Sequence, residues 1–327
     1  MASPIFSAYR GRLAPSPTGH LHLGHARTFF AAFERAQSAQ GTLLFRMEDL
    51  DPDRSRAEYA QAALDDLRWL GIAWQEGPGV GGPFAPYAQS QRGEIYRNTF
   101  QQLLRAGVLY PCRCSRKDLA AALAAPHESA QPDALDDEPV YPGTCRPAQI
   151  DLALFADPNA PIPADVSWRF RVPEGETITF NDLNLGPQRF VAGRDFGDFI
   201  VLRRDGNPGP PRTGPSSWGG GPEPPPAGPR SWGGGIASYQ LACVADDAAM
   251  QISEVVRGAD LLKSTARQIL LYRALGLAAP AWFHCALVTD AEGRRLAKRH
   301  DALSLRTLRL RGFTPAQVLH SPPESLL

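Results

Sequence analysis

Apolar residues recur along this chain with two different periods, and the change from one to the other predicts most of its elements. Over 55–70, Ala57, Ala60, Leu64, Leu67 and Leu70 fall three or four apart, which predicts a helix with one apolar face. A second helix is predicted over 94–106, closing at Gly107, where the backbone needs the freedom to turn. A third begins at Ala26, and a fourth is expected over 264–275 with Ser264 as its N-cap. Residues 41–49 predict a strand ending in acids, the usual place for ligand groups in a parallel sheet. The apolar run over 236–245 also reads as a strand, and shorter extended segments are expected at 166–172 and 177–180.

The pattern divides the chain. Residues 1–110 read as the first half of an α/β doubly wound parallel sheet, 111–198 as an insertion, 199–300 as the second half and 301–327 as a short tail. Within the second half, 209–235 are dominated by Gly and Pro and contain an imperfect repeat, 214–221 against 228–235. Such a stretch buries too little apolar surface to offset its ordering entropy, so a disordered loop is expected, with Trp218 and Trp232 offering at most a docking spot.

Composition narrows the partners. The 327 residues carry 34 basic and 34 acidic side chains, so any nucleic-acid surface must be local. No run has the apolarity of a secretory signal or a membrane span, and cytoplasmic location with no obligate protein partner is the expectation. Five cysteines do not suggest a disulfide framework. Three of them cluster instead: Cys112 and Cys114, then Cys145 after a Pro-Gly turn. Three thiolates with a fourth donor suit tetrahedral zinc. Tyr141 is an uncommon ligand type, and His127 or Asp133 fit the spacing as well. Cys243 and Cys285 lie in apolar runs and read as small buried hydrophobes.

The chemistry-bearing segments stand at the two ends. Near the start, Pro15-Ser16-Pro17-Thr18-Gly19-His20-Leu21-His22-Leu23-Gly24-His25 delivers two imidazoles, His22 and His25, around Gly24 at a helix start. The helix terminus attracts an anion, and the imidazoles can donate hydrogen bonds to phosphate oxygens as charge develops there. Near the end, a basic loop carries Arg294, Arg295, Ala297, Lys298, Arg299 and His300, followed by Arg306, Arg309 and Arg311. These read either as a solvated helix face or as contacts to nucleotide or tRNA phosphates. A lysine in such a loop can neutralise charge on the α-phosphate during adenylate formation.

The first segment resembles the opening signature of class I aminoacyl-tRNA synthetases in its glutamyl and glutaminyl spelling, and Arg295-Leu296-Ala297-Lys298-Arg299 resembles their second signature, with Ala297 in place of a serine. The short chain with Cys-x-Cys and Tyr-x-x-x-Cys is similar to the glutamyl-Q tRNA(Asp) synthetase family, members without an anticodon-binding region; only 28 residues (327 − 299) follow Arg299.

The resemblance implies a Rossmann-type catalytic domain with an inserted zinc-bearing subdomain, zinc held by Cys112, Cys114, Tyr141 and Cys145, and ATP with Mg2+ at His22, Gly24, His25 and Lys298. It implies a glutamate site from Arg12, Leu13, Ala14, Pro15 and Ser16, with Glu48 on the ammonium and Tyr239 and Arg257 on the carboxylates. An arginine fork matches a carboxylate bidentately, which favours glutamate over glutamine. The implied reaction is activation of glutamate without tRNA, then transfer to queuosine at the first anticodon position of tRNA(Asp). Two alternatives remain: a truncated glutamyl-tRNA synthetase charging tRNA(Glu), or an inactive synthetase-like protein that binds RNA or a partner.

Overall fold

The structure, a computed structural model, describes residues 8–115, 118, 140–150, 162–163, 165–204, 235–289 and 303–326. His127, Asp133, Ala297, Lys298 and nearly all of the Gly/Pro stretch lie outside the described residues.

Strand β1 (Arg10–Leu13) leads through the Pro-rich turn into α1 (Leu23–Ser38), and β2 (Thr42–Phe45) returns parallel to β1, with Arg12 opposite Leu44. Helix α2 (Ala57–Trp69) follows, then α3 (Gly93–Arg105), which closes at Gly107 with φ +68°. In α2, Ala60, Leu64, Leu67 and Leu70 are buried as the periodicity predicts, but Ala57 is exposed, being the first residue of the helix.

A four-stranded antiparallel sheet comprises β3 (Leu109–Cys112), β4 (Ser167–Phe170), β7 (Phe199–Arg203) and β8 (Ile236–Ala237), in that order. A second, mixed sheet has the order β6-β5-β10-β9, built from β5 (Thr177–Asp182), β6 (Gly186–Val191), β9 (Glu254–Gly258) and β10 (Ala281–Cys285). Among the described strands, parallel pairing joins β1–β2, β9–β10 and a single β10–β5 pair, so the α/β architecture combines a parallel pair, an antiparallel sheet and a mixed sheet. β1 meets β9 where the Ser253 amide donates to the Arg10 carbonyl at 2.9 Å. No helix among the described residues is long and apolar enough to cross a membrane.

Two elements differ from expectation. Residues 236–245 form only the two-residue β8 before turning into α4 (Tyr239–Ala249), which Ser238 caps by accepting from the Leu241 amide. The run Leu241–Ala245 is apolar because this helix is buried nearly all round, and periodicity cannot separate that from a buried strand. Helix α5 (Leu262–Ala274) has Leu261, not Ser264, as its N-cap; Ser264 is inside the helix and accepts from the Gln240 amide group at 3.0 Å.

Period-two alternation shows at the centre. Leu43 and Phe45 enter one core with α1 and α2, whereas Leu44 enters a second with α3, α4 and α5. Between the cores lies a buried ionic lattice. Arg46, 0% exposed, bonds Asp247 at 2.6 Å and Glu48 at 2.9 Å and lies 3.7 Å from Asp246. Arg92 bonds Asp246 at 2.6 Å, Gln89 and Tyr96 donate to the same carboxylate, and Arg12 stands 3.5 Å from Asp247.

Deleting one member of such a lattice strands its partners in low dielectric, at a cost of roughly 3–5 kcal/mol. Asp246→Ala is therefore expected to lose that much in urea unfolding, whereas Asp65→Ala, which breaks an exposed 3.8 Å pair with Arg68, should lose less than about 1 kcal/mol. Equal losses in the two variants would contradict the lattice as a structural centre.

Candidate active site

The first signature folds as a helix cap. His22 is the N-cap of α1: its Nδ1 accepts from the Gly24 amide at 3.2 Å, and its own amide donates to His25 Nδ1 at 3.3 Å. An Nδ1 that accepts puts the ring hydrogen on Nε2, so both rings present a donor away from the backbone. Their centroids are 3.8 Å apart. Gly24 eases this stack, because a Cβ there would sit 3.1 Å from His22 Cε1 and push the ring by a few tenths of an ångström. The cap is also held from the C-terminal side. Ser304 bridges to His22, and the Leu305 amide at the start of α6 (Leu305–Leu310) donates to the Leu21 carbonyl at 2.8 Å.

The residues after it brace the same region. Arg309 pairs with buried Asp66 at 2.8 Å and lies over Trp69, Arg311 donates to the Leu326 carbonyl, and Arg306 reaches His20. Arg27 on α1 donates to the carbonyls of Ser321 and of Val318 in α7 (Pro315–His320). Arg309 and Arg311 thus have partners inside the chain.

Four of the expected glutamate-site residues converge. Arg12 is nearly buried and donates from Nη1 to the Val256 carbonyl at 3.0 Å, while its Nε faces the Asp247 carboxylate at 3.5 Å. Glu48 accepts from Arg46 and, at 3.6 Å, from the thiol of Cys243. The Tyr239 hydroxyl accepts from Arg257 Nη1 at 3.2 Å. Burial, then the neighbouring Cys243, raises the Tyr239 pKa; Arg257, Glu48 and Arg12 act on the same hydroxyl.

Leu13 and Pro15 are buried and Ala14 is half-buried, so they shape the wall; Ser16 is exposed. The loop they form is fixed to the acid-bearing strand end, with the Glu48 amide donating to the Pro15 carbonyl. Cys243 is not an inert apolar residue: it faces Glu48, and burial together with that carboxylate holds its thiol protonated. Cys285 is only half-buried, with its pKa pushed up to about 11 by burial.

Several partners were invisible in sequence. Arg257 Nη2 donates to Thr265 Oγ1 at 2.6 Å, and Arg257 Nε to His284 Nε2 at 3.3 Å. His284 is 0% exposed, and its Nδ1 lies 2.6 Å from Asp182 Oδ2. Burial, then the Arg257 cation, lowers the His284 pKa from 6.5 to about 4 against the pull of Asp182.

The cysteine cluster is assembled as well. Cys112, Cys114 and Cys145 are free thiols whose sulfurs all lie within 4.8 Å of one another, Cys114 and Cys145 being 3.5 Å apart. The Tyr141 oxygen is 3.5 Å from Cys112 and 3.7 Å from Cys114. A tetrahedral zinc with bonds near 2.3 Å needs donor separations of about 3.8 Å, so the set fits a metal ion. Burial opposes ionisation of Cys112, but hydrogen bonds from Arg169 and Tyr141 outweigh it and bring the pKa down to about 7. Arg169 also covers the Tyr141 ring at 3.7 Å.

The lowered His284 pKa has a stability consequence. Between about pH 6.5 and pH 4 the unfolded chain binds a proton at this ring that the folded chain refuses, so stability falls as pH drops through that window, by about 3 kcal/mol in total. Urea titrations should give His284→Gln a shallower decline than the parent between pH 7 and pH 4. Parallel declines would contradict a neutral buried ring.

Residues 8–209 and 233–320 match the family described as tRNA synthetases class I (E and Q), catalytic domain. The Glutamyl-Q tRNA(Asp) synthetase of Symbiobacterium thermophilum is 44% identical over 94% of this chain and 84% of its own length; that of Nitratidesulfovibrio vulgaris is 42% identical, over 94% and 83%. Glutamate–tRNA ligase 2 of Nitrosococcus oceani is 39% identical over 94% of this chain but 57% of its own length. The crystal structure of the glutamate-tRNA synthetase from Elizabethkingia anophelis aligns with a TM-score of 0.68 at 26% identity, covering 94% of this chain and 54% of that one. With the family match running through both signatures and the whole of the converging cluster, the chain belongs to the class I tRNA synthetases of the glutamate and glutamine branch and is a ligase of that family.

Proposed function

We propose that the protein activates glutamate with ATP in a Rossmann-type catalytic core, without tRNA, and then transfers it to queuosine at the first anticodon position of tRNA(Asp). The observation that carries the glutamate reading is the convergence of Arg12, Glu48, Tyr239 and Arg257 on one buried cluster with an excess of positive charge. Arg257 and the Tyr239 hydroxyl receive the side-chain carboxylate of the substrate, and the Glu48 carboxylate pairs with its ammonium. Arg12, held by the Val256 carbonyl through Nη1 and by the Asp247 carboxylate through Nε, adds a buried cation beside the same ligand. An arginine donor set receives a carboxylate and is mismatched to the amide of glutamine, which would bring its own donors.

In the first step an oxygen of the α-carboxylate bonds to the α-phosphorus of ATP and the bond to the β,γ-diphosphate breaks, releasing pyrophosphate. His22 and His25 donate from Nε2 to the phosphates as charge builds, with Mg2+ bound to the nucleotide and Lys298 supplying a further cation. In the second step a hydroxyl of the queuosine cyclopentene-diol attacks the activated carbonyl and AMP leaves. The names and identities of the relatives from Symbiobacterium and Nitratidesulfovibrio support this acceptor. Cys112, Cys114, Tyr141 and Cys145 would hold one zinc per chain, which would supply a structural crosslink between the arms around β3 and residues 140–146.

Labelled glutamate with ATP should be transferred to tRNA(Asp) that contains queuosine and not to queuosine-free tRNA(Asp) or to tRNA(Glu). Label on tRNA(Glu) would make the protein a charging enzyme, and no transfer to any tRNA, with no glutamate-dependent pyrophosphate exchange, would make it an inactive binder. Metal content gives a separate check. One zinc per chain is expected, and a chelator or Cys145→Ser should lower the thermal midpoint by several degrees. A metal-free protein with an unchanged midpoint would remove zinc from the account.

A further inference from the structure

The strand pair β9–β10 places His284 directly opposite Arg257 in parallel register. On its other side His284 meets β5, a strand from the segment the sequence assigns to the insertion. Asp182 ends that strand and is itself rigid. Its Oδ1 accepts from the amides of Asn184 and Leu185, and its two oxygens lie 3.3 and 3.2 Å from the His284 amide. The Asn184 side chain closes the arrangement by donating to the His284 carbonyl at 2.8 Å.

Hydrogen positions follow from what each ring nitrogen faces. His284 Nε2 lies 3.3 Å from Arg257 Nε, which carries a hydrogen and has no lone pair to offer. It also lies 3.1 Å from the Thr265 hydroxyl, which accepts from Arg257 Nη2 and whose hydrogen is shared between Nε2 and the Leu261 carbonyl at 3.4 Å. Nε2 must therefore accept, and the single proton of the neutral ring stands on Nδ1, donated to Asp182.

We propose that Asp182 and His284 form a positioning pair: the carboxylate fixes the imidazole tautomer, and the bare Nε2 locks the Arg257 guanidinium so that its Nη1 edge faces the substrate carboxylate beside Tyr239. The proposal rests on Arg257 receiving that carboxylate. Thr265 and the Leu261 carbonyl hold Nη2, His284 holds Nε, and among the described residues Nη1 bonds only Tyr239. The fork is thus restrained on every side but the one that meets the ligand. A guanidinium with this freedom removed distinguishes a carboxylate from an amide better than one that can swing to suit either. The inserted segment consequently bears on amino-acid choice through a strand end that touches no substrate.

The test is glutamate-dependent pyrophosphate exchange, with KM measured separately for glutamate and ATP and with glutamine as competitor. Asp182→Asn presents an amide donor to Nδ1, forces the ring hydrogen onto Nε2 and sets it against the Arg257 Nε hydrogen. His284→Asn keeps a donor toward Asp182 but leaves Arg257 Nε without an acceptor, whereas His284→Gln returns an acceptor near the Nε2 position. Asp182→Asn and His284→Asn should each raise the glutamate KM about tenfold or more and reduce the preference for glutamate over glutamine, with the ATP KM within about twofold. His284→Gln should stay within about threefold of the parent for glutamate. Should Asp182→Asn fail to fold, the two His284 variants decide alone.

Arg257→Gln separates the layers of the argument. If it raises the glutamate KM while Asp182→Asn and His284→Asn do not, the positioning pair is overturned and the glutamate clamp stands. If it leaves the glutamate KM unchanged, the clamp and the pair fall together. Equal rises in the ATP and glutamate KM, or His284→Gln behaving like His284→Asn, would show a merely structural role and overturn the proposal.

Discussion

Asp246 and Asp247, adjacent on one buried helix, each have to be neutralised away from water, and the chain supplies arginines from three separate segments to do it. Arg12 comes from β1, Arg46 from just beyond β2 and Arg92 from the start of α3, and all three reach the same helix. Taking such ions out of water costs several kcal/mol each, so the lattice is tolerable only with every partner in place. That condition fixes the ends of β1 and β2 relative to α4. Since α4 begins with Tyr239 and the segment after β2 carries Glu48, the same constraint sets the spacing of the ligand groups.

The cluster of Arg12, Glu48, Tyr239 and Arg257 is therefore an extension of the ionic lattice. Arg46 bonds Asp247 on one side and Glu48 on the other, so a structural cation orients the carboxylate proposed to meet the substrate ammonium. Arg12 turns its Nε toward Asp247 at 3.5 Å and its Nη1 to the Val256 carbonyl, so a second structural cation borders the cluster. The signature histidines are organised by different means: a helix cap with the rings turned by backbone hydrogen bonds, steadied by Ser304 and Leu305.

Local chemistry made part of this legible in the sequence. His22-x-x-His25 after a Pro-Gly turn, and two cysteines one residue apart, declare themselves because their spacing is their geometry. The amphipathic helix α2 was legible because its polar face meets water. Helix α4 was not, because Asp246 and Asp247 are buried beside its apolar residues and the polar side that would reveal a helix is missing. His284 gave no signal either: its partners Arg257, Thr265 and Asp182 lie between 19 and 102 positions away in sequence. Cys243 looked apolar from its neighbours, and only the tertiary structure places Glu48 against its thiol.

The central claim is that a fixed cationic fork, backed by the buried lattice, commits the protein to a free carboxylate before any RNA is bound. Pyrophosphate exchange into ATP in the complete absence of tRNA, with glutamate and glutamine compared side by side, addresses it most directly. Exchange with glutamate and none above background with glutamine is the expected result. Exchange that requires tRNA, or that runs equally well with glutamine, would contradict it.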